Sequence, residues 1–195
     1  MYFSNEGNGK ERRVTNNLIN TAVEDSLFLI LVIVCADAHL IRTGYEIFKH
    51  KKIISANRNS FIIIFINMAL LWISWFLMCI TGLNRIALPI FINYIGFVLI
   101  LTGGFVFFTG LFTIKTLESY NGDLITKGIY SKLRHPMYTG FIIWIIGGPL
   151  LYGAFIPLML ATLFIANVLY WRHLEELELE KRFTDYSDYK KTTLF

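Results

Sequence analysis

Charged residues are scarce: they make up 16% of the 195 residues, against roughly 25% in an average soluble domain. Apolar residues reach 55% and fall in long runs rather than amphipathic stripes, which excludes an ordinary water-soluble domain and points to a bilayer. Cysteine is almost absent. Cys35 and Cys79 both lie inside apolar stretches, without CxxC or Cys/His ligand spacing, so neither a disulfide framework nor a zinc site is indicated, and both are expected to be packing residues. His39, His50 and His173 lack ligand spacing and are expected to be structural or interfacial. No metal is expected. Internal repeats and low-complexity segments are lacking as well, and no GxGxxG follows a predicted strand, which argues against a soluble Rossmann fold.

What is present is a series of five apolar stretches, at about 22–41, 60–82, 88–116, 137–152 and 154–171, near the 20 or so residues a spanning helix needs. Residues 1–21 are polar and are expected to form a mobile tail. The first stretch carries Asp37 and His39 near its end, which must reach an interface or pair inside a bundle. Its run 27–38 also resembles a signal-peptide core and cleavage site, but the region before it is long and holds Glu24 and Asp25, so an uncleaved span is expected. Gly103, Gly104 and Gly110 suggest close helix packing or a bend. Gly147, Gly148, Pro149 and Gly153 interrupt the last apolar region and divide it into two antiparallel helices joined by a tight turn.

The net charge of +4 does not imply nucleic acid, because the 18 Lys and Arg residues sit in short clusters between apolar runs. With five spans, all but Lys10, Arg12, Arg13 and Arg85 fall on one side. The positive-inside rule then puts the amino terminus outside and the carboxy terminus in the cytoplasm. Cleavage near Ala38 would instead export the basic loop at 42–58.

The densest polar signal is the run 128–140, with Arg134, His135 and Pro136 at the start of the fourth span; a second, Arg172-His173-Leu174-Glu175-Glu176, follows the fifth. A hairpin over 137–171 returns the chain to its starting side, so the two clusters are expected to meet. Pro136 suits the first turn of a helix, whose free backbone donors favour an anionic group. Glu175 and Glu176 offer acceptors for an ammonium, a sulfonium or ribose hydroxyls. Glu178 and Glu180 are expected on a solvated helix face, and Tyr186 and Tyr189 as packing or interface aromatics.

The pattern Leu124-Ile125-x-x-Gly128-Ile129-Tyr130-x-x-x-Arg134-His135-Pro136-x-Tyr138-x-Gly140, followed after two apolar segments by Glu175-Glu176, resembles the isoprenylcysteine carboxyl methyltransferases. These belong with the phospholipid methyltransferases as integral-membrane enzymes. The resemblance covers about residues 88–195, and the first two spans add only compatible hydrophobicity. It implies S-adenosyl-L-methionine as cofactor, held by Leu124, Ile125, Tyr130, His135, Pro136, Met137 and Tyr138. It also implies a substrate-side role for Arg172 with Glu175 and Glu176, although the spacing from Arg172 to the Glu pair is one residue shorter than usual. Gly122 and Asp123 stand at the start of the family's cofactor segment.

The expected architecture is all-α: an integral-membrane bundle of about five transmembrane helices, with a carboxy-terminal hairpin and a cytoplasmic cofactor site. It divides into a polar tail at 1–21, three transmembrane helices over 22–117, and a cofactor loop, hairpin and terminal helix over 118–195. The expected activity is S-adenosylmethionine-dependent methyl transfer to a membrane-associated acceptor, an isoprenylcysteine carboxylate or another lipidic molecule, with membrane lipids as neighbours and no nucleic acid. One alternative is an NADPH-dependent membrane sterol or steroid reductase, whose motif commonly reads His-Pro-Asn-Tyr where this chain has Met137. The other is a nonenzymatic lipid- or partner-binding membrane protein, which explains the charge asymmetry but not the ordered motif.

Overall fold

The computed structural model describes residues 5–55, 57–81, 85–114 and 123–195. Among these lie six α-helices: α1 (Asn5–His50), α2 (Arg58–Thr81), α3 (Ile90–Ile114), α4 (Pro136–Tyr152), α5 (Phe155–Arg182) and α6 (Tyr186–Thr192), with a 3-10 turn at Gly128–Ser131. Extended structure among the described residues is confined to isolated bridges. Four helices contain stretches long and apolar enough to cross a membrane: Thr15–His50, Ile62–Thr81, Ile90–Ile114 and Phe155–Arg182. α4 is apolar but has 17 residues, about 25 Å at 1.5 Å per residue. It is therefore shorter than the roughly 30 Å hydrocarbon core. The outer faces of α2 and α3 expose Ile63, Ile73, Leu101, Phe105 and Phe112. Apolar side chains on both the inner and outer faces are what a helix in lipid requires, and the chain is an all-α membrane bundle.

Two local expectations change. The polar segment at the amino terminus is helical from Asn5 and runs into the first span without a break. Gly147, Gly148 and Pro149 do not interrupt α4, which continues to Tyr152; the reversal comes at Gly153, in the left-handed region at φ +63°. The glycines instead permit close approach. A Cβ on Gly147 would lie 2.9 Å from the Gly96 carbonyl oxygen of α3, and one on Gly148 would lie 3.1 Å from Cys79 Sγ of α2. Along the same α3–α4 seam, Gly103 faces Gly140 and Gly110 faces Pro136, whereas Gly104 faces open space. Small residues let two backbones pack where lipid supplies no hydrophobic drive between helices.

The core brings together Cys35 of α1, Leu71, Trp75, Met78 and Cys79 of α2, Phe141 and Ile145 of α4, and Phe164, Val168 and Trp171 of α5. Both cysteines are free and buried, as packing residues. Polar side chains fix the register of α1. Asn67 Nδ2 donates to the Ala38 carbonyl at 2.9 Å, and Trp171 Nε1 donates to Thr43 Oγ1 at 2.8 Å. His39 turns inward, stacked on Phe164 with ring centroids 4.1 Å apart and its Nδ1 3.1 Å from Asn167. Asp37 lies on the exposed face.

Candidate active site

The end of α1, the start of α2, the end of α3, the start of α4 and the end of α5 all border one cavity of about 230 Å³. Its deeper wall is apolar: Ile64, Met68 and Trp72 on α2, Phe107 on α3, and Met137 and Phe141 on α4. Trp72 closes this end, with its ring edge-on to Phe107 at 4.8 Å and 5.7 Å from the Trp144 ring. Phe65 borders the cavity yet remains half exposed on the lipid-facing side. The other end carries charges of both signs: Arg42, Lys49, Arg134 and Arg182 against Glu46, Asp123, Glu175 and Glu178. An interior with an apolar end and a charge-balanced end suits an amphipathic ligand bearing positive and negative groups.

Leu124, Ile125, Tyr130, Met137 and Tyr138 all line this cavity. The loop that carries Leu124, Ile125 and Tyr130 into α4 is clamped from the carboxy-terminal side. Arg134 N donates to the Leu194 carbonyl at 3.0 Å and Leu194 N to the Lys132 carbonyl at 2.8 Å. The Arg134 guanidinium donates to the carbonyls of Lys190 and Thr193 at 3.0 and 2.7 Å, and the Tyr189 hydroxyl donates to the Tyr130 carbonyl at 2.6 Å. Gly128 starts the 3-10 turn at φ +59°, a left-handed conformation that glycine adopts without a Cβ penalty.

The expected meeting of the two polar clusters occurs, and it separates the paired glutamates. Glu176 is buried and turns toward the motif: its Oε1 lies 3.3 Å from His135 Nε2 and 3.3 Å from Arg134 Nε, with Lys190 Nζ 3.8 Å from its other oxygen. Glu175 faces the cavity, near Tyr138. His135 and Pro136 are buried behind the cavity wall at the start of α4. Arg172 lies elsewhere: its guanidinium stacks over the Phe195 ring at 4.4 Å and does not border the cavity. Of Gly122 and Asp123, Asp123 borders the cavity and Gly122 lies outside the described residues.

Several cavity residues were not anticipated. Tyr186 and Tyr189 belong to its wall, and Glu178, expected only on a solvated face, borders it too. The first two helices supply far more than hydrophobicity, contributing Arg42, Glu46, Lys49 and Trp72. The spacing of Arg42, Glu46 and Lys49, at i, i+4 and i+7 on one helix face at the end of a span, was the signal available for α1.

Buried donors on cavity residues that lack a hydrogen-bond partner among the described residues include Trp72 Nε1, the Tyr130 hydroxyl and the Tyr186 hydroxyl. Burial raises the Tyr130 phenol well above the ordinary tyrosine range, and nearby Glu175 adds to the effect. Burial also raises Tyr186, with Glu176 reinforcing it. Both remain neutral donors at physiological pH. A buried donor without a partner costs roughly 1–3 kcal/mol, which a ligand offering acceptors would offset. No group of His, Cys, Asp and Glu among the described residues could hold a metal ion.

Residues 91–186 match the phospholipid methyltransferase family model. A protein-S-isoprenylcysteine O-methyltransferase of Schizosaccharomyces pombe is 40% identical over 70 residues, covering 35% of this chain and 30% of the relative. Protein-S-isoprenylcysteine O-methyltransferase B of Arabidopsis thaliana is 45% identical over 40 residues, covering 20% of this chain and 19% of the relative. The chain thus matches less than a third of the length of either relative, and no solved structure matches it significantly. The segment that builds α3, the clamped loop, α4 and α5 is thus similar to the phospholipid methyltransferase family, and both relatives are isoprenylcysteine methyltransferases.

Proposed function

We propose that the cavity binds S-adenosyl-L-methionine and a lipidic acceptor together, and that the protein methylates the acceptor, foremost the carboxylate of an S-isoprenylcysteine. The carrying observation is the two-ended cavity, with charged groups of both signs and the unpartnered Tyr130 and Tyr186 hydroxyls at one end and an apolar wall at the other. Leu124, Ile125, Met137, Tyr130 and Tyr138 form the cofactor wall, with His135 and Pro136 holding the start of α4 behind it. Glu175 and Asp123 offer acceptors for an ammonium or ribose hydroxyls. Glu176 acts through His135 and Arg134 and is a positioning residue; Arg172, stacked on Phe195, positions the terminal segment.

When bound, the cofactor supplies a methyl group on a sulfonium, whose carbon–sulfur bond breaks as an acceptor oxygen forms the new carbon–oxygen bond and the sulfur keeps the electron pair. An ionised carboxylate needs no base. The protein's task is therefore to orient and partly desolvate the acceptor, which proximity can convert into much of the rate. The half-exposed Phe65 on the cavity wall supports lateral entry of an apolar acceptor from the bilayer. The excess of Lys and Arg in the loops at this end supports a cytoplasmic site and an external amino terminus.

Calorimetry on the detergent-purified chain tests the cofactor, with NADPH as comparator. Saturable S-adenosylmethionine binding is expected, and selective NADPH binding would replace this reading with a reductase. Transfer of labelled methyl to N-acetyl-S-farnesylcysteine, with phosphatidylethanolamine vesicles as the competing acceptor, tests the acceptor class; methylation of the phospholipid alone would reassign it.

A further inference from the structure

We propose that the outer face of α1 pairs with the same face of a second copy of this chain in the bilayer, along a seam centred on Asp37. The inference stands on α1 and its packing, and is independent of the reaction proposed above.

Depth is the first argument. Between Ser26 and Ile41, Asp37 is the sole Asp, Glu, Lys or Arg of α1, and it is exposed on the outside of the bundle. The hydrogen bond from Asn67 to the Ala38 carbonyl fixes the register of α1 against α2. Asn67 lies more than one turn inside the apolar span that starts at Ile62, so Asp37 stands about 8 Å from that end of the membrane-crossing stretch. A helical Cα–Cβ bond tilts toward the amino terminus, here away from that end, and the side chain is too short to reach the interface. The residues one turn away, Ile33, Val34, Leu40 and Ile41, are all apolar. Asp37 has no hydrogen bond or ion pair among the described residues. A carboxyl group that faces hydrocarbon without a partner is costly, and a partner from outside the chain removes that cost.

Pattern is the second argument. Phe28, Leu31, Cys35 and Ala38 form the seam of α1 that is buried in the core. Ile30, Ile33, Asp37 and Leu40 each follow one of these by two residues, about 200° around the helix, and all four are exposed. Their alternating steps of four and three continue back through Ser26 and Val23, also exposed. This is the 3.5-residue period with which two helices pack along a single seam. One turn beyond Leu40, Gly44 has open space where a Cβ would stand, which lets a second backbone come close. A second copy fits these features. It crosses the membrane in the same direction, so a two-fold axis along the bilayer normal sets its own seam and its own carboxyl at the same depth. A carboxylic acid both donates and accepts, so the two side chains complete each other, whereas a foreign helix would have to bring a partner group to that level. Arg42 and Glu46 lie off this seam and border the cavity, which pairing leaves unfilled.

The test is energy transfer between donor- and acceptor-labelled copies of the full chain, reconstituted in phosphatidylcholine vesicles and diluted with lipid. The wild type is expected to transfer well above the level of random proximity, and unlabelled chain to compete the signal away. Asp37→Asn keeps a donor and an acceptor and is expected to associate like the wild type. Asp37→Leu is expected to associate about fivefold more weakly, the scale of one interhelical hydrogen bond in lipid, while keeping its helical content. Oxidative cross-linking gives a second readout that does not touch Asp37. Ile33→Cys and Leu40→Cys should yield covalent dimers, and Phe105→Cys, exposed on the outer face of α3, should not. A wild type that stays monomeric in vesicles would overturn the proposal and leave Asp37 to a lipid headgroup or a different membrane protein. Association unchanged in Asp37→Leu, or cross-linking as efficient at Phe105→Cys as at Leu40→Cys, would overturn it as well.

Discussion

Glu175 and Glu176 are neighbours in the chain and face different surroundings: Glu175 borders the cavity beside Tyr138, while Glu176 is buried 3.3 Å from both His135 and Arg134. A step of one residue on an α-helix turns the side chain by about 100°. One member of the pair therefore faces the cavity and the other holds the Arg134–His135 motif at the start of α4.

Substitution is expected to separate these roles. Glu176→Gln removes a buried carboxylate that compensates Arg134, with a cost of roughly 1–3 kcal/mol for the lost charged hydrogen bonds. It should lower the thermal midpoint in detergent. Glu175→Gln should leave that midpoint nearly unchanged and weaken S-adenosylmethionine in a binding titration. Equal loss of stability in both variants would contradict the division.

The seam between α3 and α4 predicts a sharp contrast between two glycines. A Cβ on Gly140 would lie 2.5 Å from the Gly103 carbonyl oxygen and 2.6 Å from the Phe107 amide nitrogen, both backbone atoms that cannot swing aside. Gly140→Ala should push the helices apart at a cost of about 1–3 kcal/mol and disturb the nearby cavity wall at Met137 and Phe141. Gly104→Ala, with nothing within 4 Å, should unfold within a degree or two of the wild type. Thermal unfolding of the two variants checks the pair.

Alkaline pH should unclamp the loop. Burial raises the phenols of Tyr130, Tyr186 and Tyr189 above the ordinary value of 10.0. A raised folded-state value means that the unfolded chain releases its protons first, so stability is intact below about pH 10 and declines above it. Tyr189→Phe removes the 2.6 Å bond to the Tyr130 carbonyl. It should weaken cofactor binding about fivefold at neutral pH, the scale of one neutral hydrogen bond, and flatten the alkaline fall in the thermal midpoint. Unfolding scans from pH 7 to 11 provide the measurement.

Much of this was legible in the sequence because lipid constrains composition severely. A backbone crossing hydrocarbon must satisfy its own hydrogen bonds, so long apolar runs become helices. The hairpin turn at Gly153 and the meeting of the Arg134–His135 cluster with the glutamates followed from helix length and direction. The roles within that meeting did not. Arg172 and the Glu pair form one polar cluster in sequence, yet helical rotation sends Arg172 to Phe195, Glu175 to the cavity and Glu176 to His135.

The sequence by itself determined an all-α membrane bundle and the basic clusters between its apolar runs, because each depends on local composition or the lipid's demand for internal hydrogen bonding, while its resemblance to the family marked the stretch from Leu124 to Tyr138, much of which lines the cavity. Only the tertiary structure decided that α1 and α2 close the cavity, that Arg42 rather than Arg172 borders it, and that the terminal segment clamps the loop through Arg134 and Tyr189. Those are relations between residues far apart in the chain. They depend on the rotation and register of packed helices, which hydrophobic runs leave undetermined because nearly every face of such a helix is apolar.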